Sequence, residues 1–598
     1  MTHRPGPARP RPSAMDRPPR ALRPAQAAAL WAALALAVLA PPPAAGAAPP
    51  APSVKAETYD LLLQGGRIVD GTGNPWVEGD LAIKGDRIAA IAPHLDAAGA
   101  RRTLDVRGLV VAPGFIDLMG QSEYTVLVDP HVASKITQGI TTEFTGEGGS
   151  VAPQTPYTIQ ELLPGIADLQ IRVDWTDFET YFRRLRARGT AVNFAHMVGA
   201  AQVREAVLKS DNRPPNPEGM EAMKRHVARA MEQGAFGLSS ALIYPPGAFA
   251  TTDELIALAK VAASYGGIYA SHIRNEGDDL LAAIDEAARI GEQARIAVEV
   301  WHLKAAGEEN FGKMADAIKA IEGYRARGVD VTADIYPYPA SMTGLSASLP
   351  PWASEGGNEA LVARLKDPKE RKRIRQEIEE PTTKWDNLYH GAGRADKILI
   401  AGVRTAANKK YQGKRLSEVA DLRGADPLEA MFDLLLEENG VVDAVYFEMS
   451  EDDVRRAMTV PWVAFNCDAS GVRPDGVLGA TMTHPRAYGT FPRILGHYVR
   501  EEKLLGLEDA VRKMTSLPAQ RINLRDRGVL RPGLYADITV FDPRTVIDRA
   551  TFEKPHQFSE GIRSVFVNGQ MVIEDGRITE RLPGRVLRGP GYGRAPAR

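Results

Sequence analysis

Between Val110 and Ala469 short apolar runs bounded by turn residues alternate with amphipathic helical stretches, and this alternation constrains the fold more than any other feature. Strands separated by helices pair in parallel through helical crossovers. Eight runs qualify: "VVAPGFIDLM", "TTEFTG", "VNFAHMVG", "AFGLSSAL", "GIYASHIR", "AVEVWHLK", "VDVTADIYPY" and "PWVAFNCDA". Eight such units predict an α/β chain built on a (β/α)8 barrel, whose polar residues at the strand C-terminal ends face one mouth. A doubly wound open sheet is the alternative, but no glycine-rich phosphate loop follows the first run.

The flanks read differently. From Tyr59 the chain shows short alternating strands with glycine turns ("YDLLLQGGRIVDGTG", "EGDLAIKGDRIAAIAP"), and the texture returns in "LYADITVFDP" and "IRSVFVNGQMVIEDGRITE". The two ends are therefore expected to pair into one small discontinuous β-sandwich, from 59–112 and 526–590, around a barrel at 113–525, with a tail at 591–598. The seventh and eighth runs lie too far apart for an ordinary βα connection, so an insert at about 350–455 is expected to be structured and to act as a lid. Its charged stretch "DPKERKRIRQEIEE" reads as a solvated helix face.

Lys and Arg total 73 against 75 for Asp and Glu in 598 residues, so no charge excess argues for nucleic acid or an anionic membrane as partner. A small-molecule substrate is expected. The single cysteine, Cys467, excludes an intrachain disulfide or a cysteine-rich zinc site and reads as packing. Arg17, Arg20 and Arg23 precede "AAALWAALALAVLA" and then "PPPAAGA", which makes 1–47 an expected export signal cleaved near Ala47, with 48–58 a linker and Met15 an alternative start. That apolar run is shorter than a membrane span, so a periplasmic or secreted protein without a stable span is expected.

Neither HxH nor HExxH occurs among the eleven histidines, so any metal site is distributed. His272 ends the fifth run, His302 the sixth and Asp468 the eighth, each breaking an apolar strand where a barrel keeps its chemistry. Glu147 stands where the second run breaks into a glycine turn, with Glu143 a rival inside the strand. Two imidazoles and a carboxylate leave an open position on a divalent metal, as in catalytic zinc sites. Asp468 beside such a site can take a proton from water and pass it to a leaving amine. Lys304 shares a face with His302, and Arg473, Arg486, Tyr244 and Tyr338 lie on loops at the same end, a set suited to a substrate carboxylate.

With these residues in place the chain resembles the amidohydrolase superfamily, in its N-acyl-D-amino-acid deacylase (D-aminoacylase) branch. The stretches that carry the resemblance include "GRIVDGTGNPW", "APGFID", "GAFGLSSALIYPPGAFATTDEL", "YASHIRNEGD", "HPRAYGTFPRILGHYVRE" and "MTSLPAQRINLRDRGVLRPGLYADITVFDP". The resemblance implies a TIM barrel with a flanking β-sandwich, zinc at the barrel mouth, and hydrolysis of the amide of an N-acylated D-amino acid. It implies that His272 and His302 bind zinc, that Asp468 is catalytic, and that Lys304, Tyr244 and Arg486 line the substrate pocket. Three departures follow from the same comparison. The branch's strand-one HxH falls on Met119 and Gln121, which are poor zinc ligands. Its strand-two cysteine is replaced by Glu147 or Gly148, and a histidine after strand three by Ala200 and Ala201. One zinc per chain, held by Glu147, His272 and His302, is therefore expected. A dipeptide, cyclic amide or other acylated amine as substrate, and an inactive binding protein on the same scaffold, are the alternatives.

Overall fold

The computed structural model describes residues 59–594, so the expected export signal, the whole linker at 48–58 and the last four residues of the expected tail lie outside the described residues. The barrel strands are β1 (Phe115–Asp117), β2 (Ile140–Thr145), β3 (Asn193–His196, continued by Val198–Gly199), β4 (Gly237–Ala241), β5 (Ile268–His272), β6 (Val298–Val300), β7 (Val331–Ile335) and β8 (Val463–Phe465). Every pairing recorded between neighbours in this series is parallel, and nearly every residue in these strands is buried. Burial on both faces is why the strands read as continuous apolar runs. Between β3 and β4 the tie is the hydrogen bond from Phe236 N to His196 O at 2.9 Å, with Val198–Gly199 pairing β4 beyond it.

The first predicted run is two strands. Val110–Pro113 belongs to the flanking sheet and β1 to the barrel, with the break at Gly114, where a β-carbon would collide with the Thr141 side chain. That flanking sheet has nine strands drawn from both ends of the chain, joined where Val110–Pro113 pairs antiparallel with Ile538–Phe541. Alternation splits its side chains. Val111, Ile538 and Val540 enter a core with Leu63, Leu81 and Phe566, whereas Val110, Ala112 and Phe541 pack into the large barrel core. The sheet returns on itself through Ile88 N to Leu534 O and Ala536 N to Asp86 O, both 2.9 Å. The stretch expected to continue this module to residue 590 instead leaves it: Pro583 and Val586 bridge to Thr190 and Phe194, at the barrel end away from the mouth.

Between β7 and β8 lies a folded insert with its own core, including Leu345, Leu361, Ile374, Ile400, Phe432 and Tyr446. A three-stranded antiparallel sheet organises it, Ser341–Gly344 and Ile398–Gly402 flanking Asp443–Tyr446, so it begins before residue 350. The charged stretch forms the helix Pro368–Glu379, which buries Ile374 and Ile378 and pairs Arg371 and Arg375 with Glu429 of the helix Pro427–Glu437. Among the described residues no helix is long and apolar enough to cross a membrane.

Closure of the barrel joins β1 to β8. Gly120 bridges Ala469, Asp468 N donates to Met119 O at 2.9 Å, and Cys467 N donates to the Asp117 carboxylate at 2.9 Å. Behind this seam Lys135, fully buried, donates to Asp117 Oδ2 and Ala469 O, each at 2.7 Å, and stands 3.7 Å from Glu143 Oε1. Removing one member of a buried charge set leaves the others uncompensated. Replacing Lys135 by Met is expected to lower unfolding free energy by about 3–5 kcal/mol, read as a shift in the denaturant midpoint; a loss below about 1 kcal/mol would mean that the seam does not depend on this cation.

Candidate active site

The barrel mouth opens into a cavity of about 450 Å³ walled by the β-strand ends and by Ser341, Met342 and Thr343 of the insert. Glu147, His272, His302, Lys304, Asp468, Arg486 and Tyr244 all line it. They come from six different segments of the chain, with His302 and Lys304 sharing the one after β6.

His272 is the last residue of β5, whereas His302 and Asp468 fall just beyond β6 and β8 in left-handed backbone, with φ of 37° and 46°. Such conformations cost about 1–3 kcal/mol each and persist where surroundings fix them. For His302 the fixing group is buried Asp334 of β7, whose Oδ1 accepts from His302 N and from Asn466 Nδ2, each at 2.6 Å. Glu147 projects from the turn after β2. Gly148 beside it has φ of 63°, and a β-carbon there would meet Ala241 of β4 at 2.5 Å, so Gly148 shapes the turn while Glu147 supplies the donor.

Glu147 Oε1 lies 2.9 Å from His272 Nδ1 and 3.3 Å from His302 Nε2. The three donor atoms sit within 4.8 Å of one another and largely out of solvent. An oxygen and two imidazole nitrogens converging in this way are the donor set of a catalytic zinc site with an open position, and they fit that metal. Glu143 is not part of it. Its Oε1 instead accepts from Ser122 Oγ at 2.6 Å and from Ser122 N at 3.1 Å, below the mouth.

Sequence reasoning missed Glu276, four residues after His272 and 4% exposed. Its Oε1 lies 3.0 Å from His302 Nδ1 and 2.6 Å from Lys304 Nζ, and its Oε2 lies 3.6 Å from His272 Nε2. A carboxylate behind a histidine accepts a hydrogen bond from the rear N–H and so leaves the front lone pair for a metal. The signal lay within "YASHIRNEGD", but nothing in the spacing alone distinguishes this glutamate from a solvated one. Burial and the Lys304 charge oppose protonation of His302, yet the carboxylates of Glu276, Asp468 and Glu147 lift it to about 9. Burial alone would raise Glu147, but hydrogen bonds with His272 and His302 hold it well below the usual range.

Asp468 is 7% exposed, with Oδ2 2.7 Å from Arg486 Nη1 and Oδ1 3.0 Å from Gln121 Nε2. Burial raises its pKa against the opposing charges of Arg486 and His302, which suits a group that takes up a proton and returns it. Arg486 lies over the Tyr336 ring at 4.5 Å, and its backbone N donates to His484 Nδ1 at 3.0 Å; its buried Nε has no partner. Tyr336 was not anticipated in this role. Tyr244 packs edge-on to His272 at 5.1 Å, and burial together with the Glu147 charge keeps its phenol protonated.

Two expected pocket residues lie elsewhere. Tyr338 is buried against His484 and hydrogen-bonds to Asp548 at 3.3 Å, so its phenol is engaged outside the mouth. Arg473 is half exposed and bound to Asp475 at 2.6 Å, an ion pair within its own loop. Cys467 is fully buried, its thiol pushed up by burial, and it takes no part in the mouth. Met119 packs in a small core with Leu118, Phe144 and Trp301, whereas Gln121 reaches the cavity.

The amidohydrolase family model matches residues 102–573. D-aminoacylase of Alcaligenes xylosoxydans xylosoxydans is 38% identical over 540 residues, covering 89% of this chain and 98% of that protein. The structure of N-acyl-D-glutamate deacylase from Bordetella bronchiseptica, complexed with zinc and a phosphonate mimic of the tetrahedral intermediate, superposes with a TM-score of 0.74 at 35% identity, covering 89% of this chain and all of that one. A D-aminoacylase structure described in terms of a binuclear metal centre, with one-metal activation and second-metal attenuation, gives a TM-score of 0.73 at 35% identity over the same shares. Sequence match, fold and the arrangement of the mouth agree: the chain belongs to the amidohydrolase family, in its D-aminoacylase branch.

Proposed function

We propose that the protein is a zinc hydrolase that cleaves the amide bond of N-acyl-D-amino acids at a single metal ion. The observation that carries this reading is the convergence of Glu147 Oε1, His272 Nδ1 and His302 Nε2 beside Asp468 in one buried mouth. Zinc held by these three donors would polarise the acyl carbonyl and supply water acidified toward a pKa of about 7. Asp468 takes the proton released as water adds to the carbonyl carbon, and gives it to the amine nitrogen as the C–N bond breaks. Arg486, with its unpartnered Nε, binds the substrate carboxylate and holds Asp468 at the same time. Glu276 orients His302 and neutralises Lys304.

The mouth favours a neutral substrate side chain. Its three Lys and Arg residues are Lys304, Arg404 and Arg486, and Arg404 is engaged by Asp443 at 3.1 Å and Asp168 at 3.4 Å. Once Arg486 has taken the α-carboxylate, a second carboxylate meets the acidic groups Asp168, Asp443 and Glu448 or the apolar wall of Ile243, Leu388 and Leu478.

Purified protein is expected to carry about one zinc per chain by elemental analysis, and Glu147→Ala to lose both metal and activity. Excess zinc is expected not to depress the rate, because Met119 and Gln121 offer no second site; zinc-free wild type, or full activity in Glu147→Ala, would end the single-metal reading. N-acetyl-D-leucine should be hydrolysed about 100-fold more efficiently than N-acetyl-D-glutamate, the effect of leaving one charged group without a partner. Comparable kcat/KM for the two would overturn the side-chain assignment. Export, supported by the composition of 1–47, predicts a mature N-terminus near residue 48 in the extracytoplasmic fraction, read by intact mass.

A further inference from the structure

We propose that Gln121 is a positioning residue that stands in for a cation between two carboxylates, fixing both the oxygen that Glu147 offers and the plane of Asp468. The inference rests on the single-metal reading of the mouth. Gln121 Nε2 lies 3.0 Å from Glu147 Oε2 and 3.0 Å from Asp468 Oδ1. A primary amide carries two N–H groups, and here each has a carboxylate oxygen to donate to. Because both neighbours are acceptors, the nitrogen must face them.

The consequences run in both directions from the amide. With Oε2 bound to Gln121, Glu147 is left with Oε1 toward His272 and His302. With Oδ1 bound to Gln121 and Oδ2 in an ion pair with Arg486, Asp468 cannot rotate about its last bond without losing the hydrogen bond at one oxygen and the close charge contact at the other. Neighbouring like charges otherwise repel and raise each other's affinity for protons. The amide satisfies both lone pairs without adding charge. Its own backbone cannot drift, since Gln121 N donates to Ala469 O at 3.2 Å and Ser470 Oγ donates to Gln121 O at 2.6 Å, directly across the barrel seam. The group that orders the two carboxylates is thus anchored to the loop that carries one of them.

Gln121→Leu, which keeps the size and removes the donor, tests this. With an N-acetyl-D-amino acid its kcat is expected to fall about 10–100-fold while KM stays within about threefold. Its zinc dissociation constant, read by chelator competition, should rise about 10-fold, with the thermal midpoint unchanged. Gln121→Glu, of the same shape but with a third carboxylate and no donor, should lose at least as much kcat. Either variant retaining kcat and zinc affinity within about twofold of wild type, or a defect confined to KM, would overturn the proposal. A wild type that hydrolyses no N-acyl-D-amino acid would sink the proposed function instead, and the zinc comparison between wild type and Gln121→Leu would still decide whether Gln121 orders Glu147.

Discussion

The seam between β1 and β8 is the constraint on which the mouth depends. A parallel barrel closes only if its first and last strands, far apart in sequence, find each other, and here they meet through few backbone contacts: the Gly120–Ala469 bridge and the bond from Asp468 N to Met119 O. Lys135 reinforces them by reaching from its own turn to Asp117 on one strand and Ala469 O beyond the other. Its ammonium is fully desolvated, a cost that only close opposing charge and hydrogen bonds offset. Gly120 is required at the crossing because any side chain would occupy the space of the Glu143 carboxylate. Closing the seam therefore sets Gln121 and Asp468 side by side before any ligand is considered.

Electrostatics of the mouth follow from that placement. Glu147, Glu276 and Asp468 are brought into one poorly solvated volume, and each is answered by a group of opposite or neutral donor character: the imidazoles for Glu147, Lys304 for Glu276, Arg486 and Gln121 for Asp468. Desolvation makes each of these pairings stronger than it would be in water, and makes each absent partner more damaging. The same reasoning explains why strained backbone is tolerated at His302 and Asp468. The bonds from Asp334 and across the seam hold the chain in conformations that free residues avoid.

Much of this was legible in sequence because it is written in periodicity. The eight runs, the β texture at both ends, and His272, His302 and Asp468 at strand ends all follow from where apolar stretches stop. What sequence alone did not yield depends on the third dimension. Glu276 acts only because the turn after β5 folds it under both histidines, and helix-like or strand-like spacing carries no mark of that. Tyr338 and Arg473 occur near the right strand ends but are captured by Asp548 and Asp475, partners that proximity along the chain could not rank against the pocket. Gln121 was legible as a missing metal ligand, not as a hydrogen-bond donor, since its partners lie 26 and 347 residues away.

Substitutions around the Glu147, His272 and His302 cluster are coupled. A thiolate is compact and carries no second donor atom, whereas the longer Glu147 carboxylate brings an extra oxygen that must be satisfied once it is buried. A histidine at position 121 would claim the space beside it; glutamine instead turns that extra oxygen into a hydrogen-bond acceptor. Met119, the other departure, turns into apolar packing with Phe144 and Trp301, where an imidazole would have to find partners of its own. Read together, Met119, Gln121 and Glu147 form one self-consistent solution in which a neutral amide performs, by hydrogen bonding, the charge-ordering that a second cation performs by attraction. Met119 and Gln121 lie just beyond β1 on the segment that closes the barrel, and the Gln121 amide ties Glu147, from the turn after β2, to that seam.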